Sequence, residues 1–230
     1  MRGRLGTCLV GREREKHMNL ASIIDHTNLK ADATKADLVR LCDEAKRYGF
    51  ASVAINGCWT ASVSEWLAGS GVGITTCVGF PLGAAATAGK AAEAHQAVID
   101  GTTELDMVIN VGKLIDGDDN YVVSDIAEVV RMAEGRPVKV ILECCLLDDE
   151  QIVRACEDCV EAGASFVKTS TGFGTGGATV HDVELMRRTV GERCKVKAAG
   201  GIHSRQEAEA MVKAGADRLG VSASIAIIGG

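Results

Sequence analysis

Several residue types are scarce in this sequence, and each scarcity excludes a class of protein. Aromatic residues make up only 3% of the chain and there are two prolines, so Ala, Val, Ile and Gly must fill the core. No apolar run reaches the length that spans a membrane. The net charge of −6 leaves no basic face to displace the counterions of a nucleic acid. We therefore expect a globular protein without a nucleic-acid or membrane partner, in which an anionic substrate must be neutralised locally.

Cysteine, by contrast, is abundant, with nine scattered residues. No apolar stretch typical of a secretory signal follows the Arg-rich N-terminus, so we predict a reducing cytoplasm with thiols as small buried groups. Cys156 and Cys159 have the spacing of a metal or redox motif, but they share an apolar helical stripe with Ile152 and Val160. Core packing is favoured over a metal site, because zinc needs three or four ligands and no second Cys/His pair is nearby.

Residues 1–17 are charged and aperiodic, and we predict an N-terminal extension there, with Met18 as an alternative start. Residues 18–230 are predicted to form one domain. From Leu20 onward a short apolar run, a turn and an amphipathic helix recur about every 25–30 residues. Eight such units predict an α/β fold, a single (β/α)8 barrel. An open doubly wound sheet shows the same alternation, so the pattern alone leaves it as an alternative.

The element boundaries are predicted from apolar runs and capping residues. The predicted strands are Ile23–Asp25, Ala51–Asn56, Gly73–Gly79, Glu104–Asn110, Val138–Glu143, Phe166–Thr169, Lys195–Ala199 and Arg218–Val221. Three helix starts have the spacing of a capping box: Thr34 with Asp37, Asp148 with Gln151, and Ser204 with Glu207. Three glycines are predicted at helix ends: Gly101, Gly163 and Gly215.

Asp106, Lys168 and Lys197 are ionisable residues within predicted strands, where a buried parallel strand should be apolar. Each alone is equally consistent with a structural ion pair or with a side chain that reaches solvent. Together they are more specific, because lysines on adjacent strands repel each other and lower the pKa of at least one. A lysine that is a free amine near neutral pH can form a Schiff base, and Asp106 could then carry protons.

Glycine-rich segments follow the last three predicted strands. Gly200-Gly201 and Gly220-Val221-Ser222 lie where barrels commonly bind phosphate through backbone N–H groups, although a tight turn would also explain the paired glycines. The segment Gly172–Gly177 contains the letters of a dinucleotide-binding motif. That interpretation is weak, because the segment lies late in the chain behind a buried lysine.

Six motifs in order resemble the deoxyribose-phosphate aldolase family, from about Ile23 to Ile228. They are Ile24-Asp25-His26-Thr27, Cys77-Val78-Gly79-Phe80-Pro81-Leu82-Gly83, Glu104-Leu105-Asp106-Met107-Val108-Ile109-Asn110, Phe166-Val167-Lys168-Thr169-Ser170-Thr171-Gly172, Val196-Lys197-Ala198-Ala199-Gly200-Gly201 and Arg218-Leu219-Gly220-Val221-Ser222. The resemblance implies a TIM barrel that reversibly cleaves 2-deoxy-D-ribose 5-phosphate to acetaldehyde and D-glyceraldehyde 3-phosphate.

The resemblance also implies roles for individual residues. By position, Lys168 matches the Schiff-base lysine, Lys197 the second lysine and Asp106 the proton-relay aspartate. The positions that match the phosphate site are Gly172, Gly200, Gly201, Gly220 and Ser222. No metal or other cofactor is implied, since the iminium acts as the electron sink. The implied partners are a small phosphorylated sugar and aldehydes, and the implied assembly is a homodimer or a higher homo-oligomer.

Three positions depart from the family pattern. Gly57-Cys58 follows Asn56 where relatives often have proline, and Cys144 stands where threonine is common. His203 stands where arginine is common, which could weaken phosphate binding or make it pH-dependent. Three alternatives remain: a Schiff-base aldolase for another sugar phosphate, a non-catalytic barrel that binds phosphorylated metabolites, and a Rossmann oxidoreductase.

Overall fold

The computed structural model describes residues 19–230, so the expected extension over residues 1–17 and the alternative start at Met18 lie outside the described residues. Within this range eight parallel strands are hydrogen-bonded in chain order, and the last strand pairs with the first. The sheet is therefore closed, which confirms the (β/α)8 barrel and excludes the open sheet. No helix in the same range is long and apolar enough to cross a membrane.

The strands of the barrel are short, and two of them have the predicted bounds. They are β1 (Ile24–Thr27), β2 (Ser52–Ile55), β3 (Gly73–Val78), β4 (Glu104–Val108), β5 (Val138–Ile141), β6 (Phe166–Lys168), β7 (Lys195–Ala199) and β8 (Arg218–Val221). The predicted strands β4 and β5 each ended two residues after the observed strand ends. Ile109 and Leu142, which follow these strands, are fully buried, and an apolar pattern does not separate a strand from a buried loop.

Helices follow the strands and cover the barrel. They are α1 (Lys35–Tyr48), α2 (Thr60–Leu67), α3 (Thr87–Ile99), α4 (Val111–Ile115), α5 (Asp119–Met132), α6 (Asp149–Glu161), α7 (Val180–Val190), α8 (Arg205–Ala214) and α9 (Ser224–Ile228). Short 3-10 helices occupy Leu20–Ile23, Gly57–Trp59 and Cys144–Leu146.

The capping residues start and end these helices as predicted. All three predicted N-terminal pairs form capping boxes, at the starts of α1, α6 and α8. Gly215 caps α8 in the left-handed conformation. Gly101 and Gly163 come one residue after the caps of α3 and α6, with φ values of 94° and 81°. Glycine adopts such backbone angles without the steric penalty of a Cβ atom.

Side chains alternate between two faces of each strand, and the two faces differ in chemistry. On β5, Val138 and Val140 belong to the apolar core beneath the helices. Lys139, between them, faces the barrel interior and contacts Asp106. Cys156 and Cys159 of α6 are fully buried in the apolar core, which confirms their predicted place. The strand side chains that face the helices are thus apolar, whereas those that face the barrel interior include charged residues.

Candidate active site

Three predicted catalytic residues meet inside the barrel. Lys168 ends β6 and lies directly opposite Lys197 of β7 in the strand register. Their Nζ atoms are 2.8 Å and 2.7 Å from the same oxygen, Oδ2 of Asp106 on β4. Lys197 and Asp106 are fully buried, and Lys168 is 3% exposed. One carboxylate oxygen therefore joins the two lysines.

Burial is the main reason why the pKa of Lys168 is lowered from its ordinary value. Taking an ammonium out of water disfavours the charged form, and here this effect exceeds the stabilisation by Asp106. The ammonium of Lys197 lowers the pKa of Lys168 further, but its contribution is smaller. The predicted repulsion between the lysines is thus present, while desolvation is the larger cause.

Lys197 behaves in the opposite way, although it is equally buried. Burial alone would lower its pKa, but the carboxylates of Asp106 and Asp25 outweigh this, and the pKa of Lys197 is raised. Its Nζ atom is 2.5 Å from Oδ2 of Asp25. Asp25 keeps a pKa of about 2 in spite of its burial, because Lys197, Lys139 and Arg218 stabilise the carboxylate. Lys197 is therefore held as a cation, while Lys168 is the lysine that loses its proton more readily.

The sequence prediction missed four charged residues in the barrel interior: Asp25, Glu104, Lys139 and Arg218. Lys139 is fully buried and lies 3.0 Å from Oδ1 of Asp106 and 2.6 Å from Oε2 of Glu104. The signal was present, because Lys139 interrupts a valine-rich strand just as Lys197 does. The criterion that selected Asp106, Lys168 and Lys197, an ionisable residue within a predicted buried strand, applies to these four residues as well.

A cavity of about 410 Å³ opens above Lys168 at the C-terminal end of the barrel. The five residues predicted for phosphate binding line it together with Lys168: Gly172, Gly200, Gly201, Gly220 and Ser222. Gly172 comes from the loop after β6, Gly200 and Gly201 from the loop after β7, while Gly220 lies in β8 and Ser222 follows that strand. The structure therefore brings the predicted phosphate residues and the predicted nucleophile to one cavity.

Glycine is required in these loops for two separate reasons. Gly200 and Gly201 have φ values of 82° and 74°, which side chains with a Cβ rarely adopt. A Cβ on Gly177 would lie 2.4 Å from the carbonyl oxygen of Gly200, so the loops after β6 and β7 pack backbone to backbone. At Gly220 a Cβ would lie 2.9 Å from Cε of Lys197. Gly220 thus lines the cavity and also leaves room for the buried lysine.

Two cationic side chains at the cavity were not predicted. Lys30 and Arg40 line it from the loop after β1 and from α1. Arg40 is paired with Asp37 at 2.6 Å, so its charge is partly balanced. His203 also lines the cavity, and its backbone N–H donates to Glu207 of the capping box. Asp37 and Glu44 line the same side of the cavity, so the local neutralisation that an anionic substrate needs is available there mainly from Lys30, in addition to the glycine loops.

The loop that contains Gly172 is held in place by Glu143. Its carboxylate is buried and accepts hydrogen bonds from the backbone N–H of Thr171, at 3.3 Å, and from the Thr171 hydroxyl. Glu143 has a φ of 57°, an uncommon value for a residue with a side chain. At the same side of the mouth Phe173 packs edge-on against Phe80, with ring centroids 5.4 Å apart. Sequence patterns gave no indication of this contact.

A buried lysine of lowered pKa below a cavity, at the C-terminal end of a closed parallel barrel, defines a lysine-dependent aldolase class of site. The model of the DeoC/LacD family aldolases matches residues 20–227. The chain belongs to this family.

Individual relatives are similar over nearly the whole chain. It is 58% identical over 212 residues to the deoxyribose-phosphate aldolase of Bacillus cereus strain AH187, and 57% identical over the same length to that of Bacillus mycoides strain KBAB4. Both alignments cover 92% of this chain and 95% of the relative. Among solved structures, the tetrameric deoxyribose phosphate aldolase of Aeropyrum pernix superimposes with a TM-score of 0.86 at 35% identity, covering 91% of this chain and 89% of that one.

Proposed function

We propose that this protein reversibly cleaves 2-deoxy-D-ribose 5-phosphate to acetaldehyde and D-glyceraldehyde 3-phosphate through a Schiff base on Lys168. The observation that carries the proposal is the position of this amine. It lies at the floor of the cavity, its pKa is lowered by burial, and its Nζ is 2.8 Å from a carboxylate. A free amine in such a place can attack an aldehyde carbon, whereas an ammonium cannot.

The chemistry follows from the reactivity of the imine. The amine of Lys168 adds to C1 of the open-chain sugar and water leaves, which gives an iminium. The bond between C2 and C3 then breaks, its electron pair moves toward the iminium nitrogen, and the C3 hydroxyl loses its proton. D-glyceraldehyde 3-phosphate departs, and an enamine remains. Protonation at C2 and hydrolysis of the iminium release acetaldehyde and restore the amine.

We assign the proton transfers to Asp106 and Lys197. A carboxylate within hydrogen-bond distance of the nucleophile is placed to take up and return protons. Asp106 is also hydrogen-bonded to Lys197, so a proton gained by the carboxylate has a cationic neighbour that favours its release. Because burial keeps bulk water away from this trio, the transfers involve a small number of defined groups.

The phosphate is proposed to bind at the glycine-lined side of the cavity. Gly172, Gly200, Gly201, Gly220 and Ser222 supply backbone N–H groups and one hydroxyl, and glycine allows the oxygens to approach closely. Lys30 and Arg40 add positive charge across the cavity. The phosphate would thus lie to one side of Lys168, with the aldehyde end of the sugar directed at the amine.

Borohydride trapping with acetaldehyde, followed by peptide mapping, tests the proposal. Reduction of the imine should leave one ethyl group on Lys168 and none on Lys90, which is equally buried but lies outside the site. A labelled lysine other than Lys168, or no label at all, would contradict the assignment. Parallel assays with other phosphorylated sugars would show whether the preferred substrate differs.

We also propose a homo-oligomer in the cytoplasm, with residues 18–230 as the aldolase domain and 1–17 as an extension. The tetramer of the Aeropyrum pernix relative supports the assembly, and the family match over residues 20–227 supports the domain bounds. The reducing compartment is supported by the cysteines, since the eight within residues 19–230 are all free thiols. Light scattering of the purified protein would give the assembly size.

A further inference from the structure

Charged side chains inside the barrel form a chain of ion pairs in which acidic and basic groups alternate. Asp106 contacts Lys139 at 3.0 Å, and Lys139 contacts Glu104 at 2.6 Å. The other oxygen of Glu104 is 2.8 Å from a guanidinium nitrogen of Arg218. Glu104 and Arg218 are the first residues of β4 and β8, so this part lies at the end of the barrel opposite the cavity.

This chain of ion pairs leads back to Asp106, where it began. Arg218 is 2.9 Å from Oδ1 of Asp25, and Oδ2 of Asp25 is 2.5 Å from Lys197. Lys197 in turn contacts Asp106 at 2.7 Å. The six groups therefore form a closed ring, which we call the charge ring. Its members are Asp106, Lys139, Glu104, Arg218, Asp25 and Lys197.

The charge ring is balanced without Lys168. It contains three cations and three carboxylates, each in contact with two ring members of opposite sign. Lys168 contacts the ring only through Asp106. If Lys168 were protonated, the buried cluster would hold four positive charges against three negative ones. An uncompensated buried charge is costly, so the neutral amine is the favoured form of the one lysine that the ring does not need.

We propose that Lys139, Glu104 and Arg218 are positioning residues that keep Lys168 a free amine, because they complete a charge-balanced ring beneath it. The inference rests on the proposed Schiff-base function and extends it to residues that are absent from the lining of the cavity. These residues do not touch the substrate. They act through Asp106 and Lys197, whose charges they balance from the far side.

Three described titratable groups act on Lys168 from the barrel strands, namely Asp106, Lys197 and Cys77. The charged groups that line the cavity with Lys168, such as Lys30, Arg40 and Glu44, belong to the loop after β1 and to α1. Asp106 approaches from β4 and Lys197 from β7, and both belong to the ring. The thiol of Cys77 approaches from β3. Burial raises the pKa of Cys77 to about 12, so it stays neutral and adds no charge. The protonation of Lys168 is therefore coupled to the ring.

The test is the pH dependence of borohydride trapping in two variants that change the ring charge in opposite directions. Lys139→Met removes a cation, so the ammonium of Lys168 would restore the balance. The apparent pKa for trapping should rise by about one unit, which lowers trapping roughly tenfold at pH values below the wild-type pKa. Glu104→Gln removes an anion, and the apparent pKa should fall. Lys195→Met is the matched control, since Lys195 is an exposed residue of β7 outside the ring.

Opposite shifts would support the ring, because general damage to the barrel slows both variants without moving their pKa values apart. Shifts in the same direction, or none, in folded variants would overturn it. If Lys139→Met does not fold, by circular dichroism, Arg218→Met removes a cation at the partly exposed end of the ring and should also raise the pKa. Absence of trapping in the wild type would instead refute the proposed function, whereas trapping with unmoved pKa values refutes the ring alone.

Discussion

Two buried lysines of this protein, Lys90 and Lys168, show how charge balance decides what a buried amine does. Lys90, on α3, is fully buried and lies 2.5 Å from Asp125 of α5 and 2.9 Å from the carbonyl of Val108. Asp125 also accepts a hydrogen bond from Thr87. One cation meets one carboxylate there. In the barrel interior a protonated Lys168 would be a fourth cation beside three carboxylates, so burial alone does not make an amine reactive.

The two sites also differ in access. Lys90 is enclosed: a Cβ on Gly79 would lie 3.0 Å from its Cε atom. Lys168 lines the cavity above the barrel. A structural ion pair can be fully enclosed by the protein, whereas a nucleophile must be accessible to its substrate. The comparison therefore predicts that equivalent substitutions at the two sites have different consequences.

The largest effect is expected for Lys168→Ala. Cleavage should fall at least about a thousandfold, since the covalent intermediate can no longer form, as is found for nucleophile variants in general. The barrel should remain folded, because the charge ring stays balanced without Lys168. Turnover and far-UV circular dichroism measured on the same preparation check both statements. A folded variant with a tenth of the normal activity would remove Lys168 from the mechanism.

Lys90→Met should give the opposite result. It leaves Asp125 buried and unpaired, so the free energy of unfolding should fall by about 3–5 kcal/mol. The pH profile of imine trapping should not move, since Lys90 is not part of the charge ring. Urea denaturation and trapping are the two measurements. The double variant Lys90→Met/Asp125→Leu should recover most of the stability, and a shifted trapping pKa in either variant would contradict the separation of the two sites.

Sequence patterns predicted the eight strand–helix units but not the charge ring, and they left barrel closure open against a doubly wound sheet. Periodicity and capping boxes are local, and the starts of α1, α6 and α8 were predicted from four-residue spacings. The contacts of Asp25 with Lys197 and Arg218 join residues that are 172 and 193 positions apart. Such contacts depend on barrel closure. A sequence shows that a charged residue lies in a strand, but not whether the neighbouring strands supply its partner.

The variant Gly201→Val tests the role of the cavity independently of the charge ring, because Gly201 lines the cavity and is not a member of the ring. The cavity side supplies affinity for phosphate, so the variant should raise KM for 2-deoxyribose 5-phosphate by roughly tenfold or more, the cost of one or two lost hydrogen bonds to a charged group. The KM for unphosphorylated 2-deoxyribose should change far less, and the trapping pKa should not move. Equal effects on both sugars would show that the strained φ of residue 201, rather than phosphate contact, is responsible.

The smallest expected effect, and the most specific, is a displacement of the trapping pKa in Lys197→Leu. Removing this cation leaves two cations and three carboxylates in the ring, so protonated Lys168 restores the balance and its pKa should rise. A rise of about one unit lowers the free-amine fraction roughly tenfold at pH values below the wild-type pKa, and the loss should disappear at higher pH. Asp106→Asn removes a carboxylate instead, so its trapping profile should move to lower pH. Turnover of Asp106→Asn should stay low at every pH, because the proton carrier is gone. Trapping profiles of both variants between neutral and alkaline pH make the comparison, and two profiles that coincide with the wild type would leave desolvation as the only cause of the lowered pKa of Lys168.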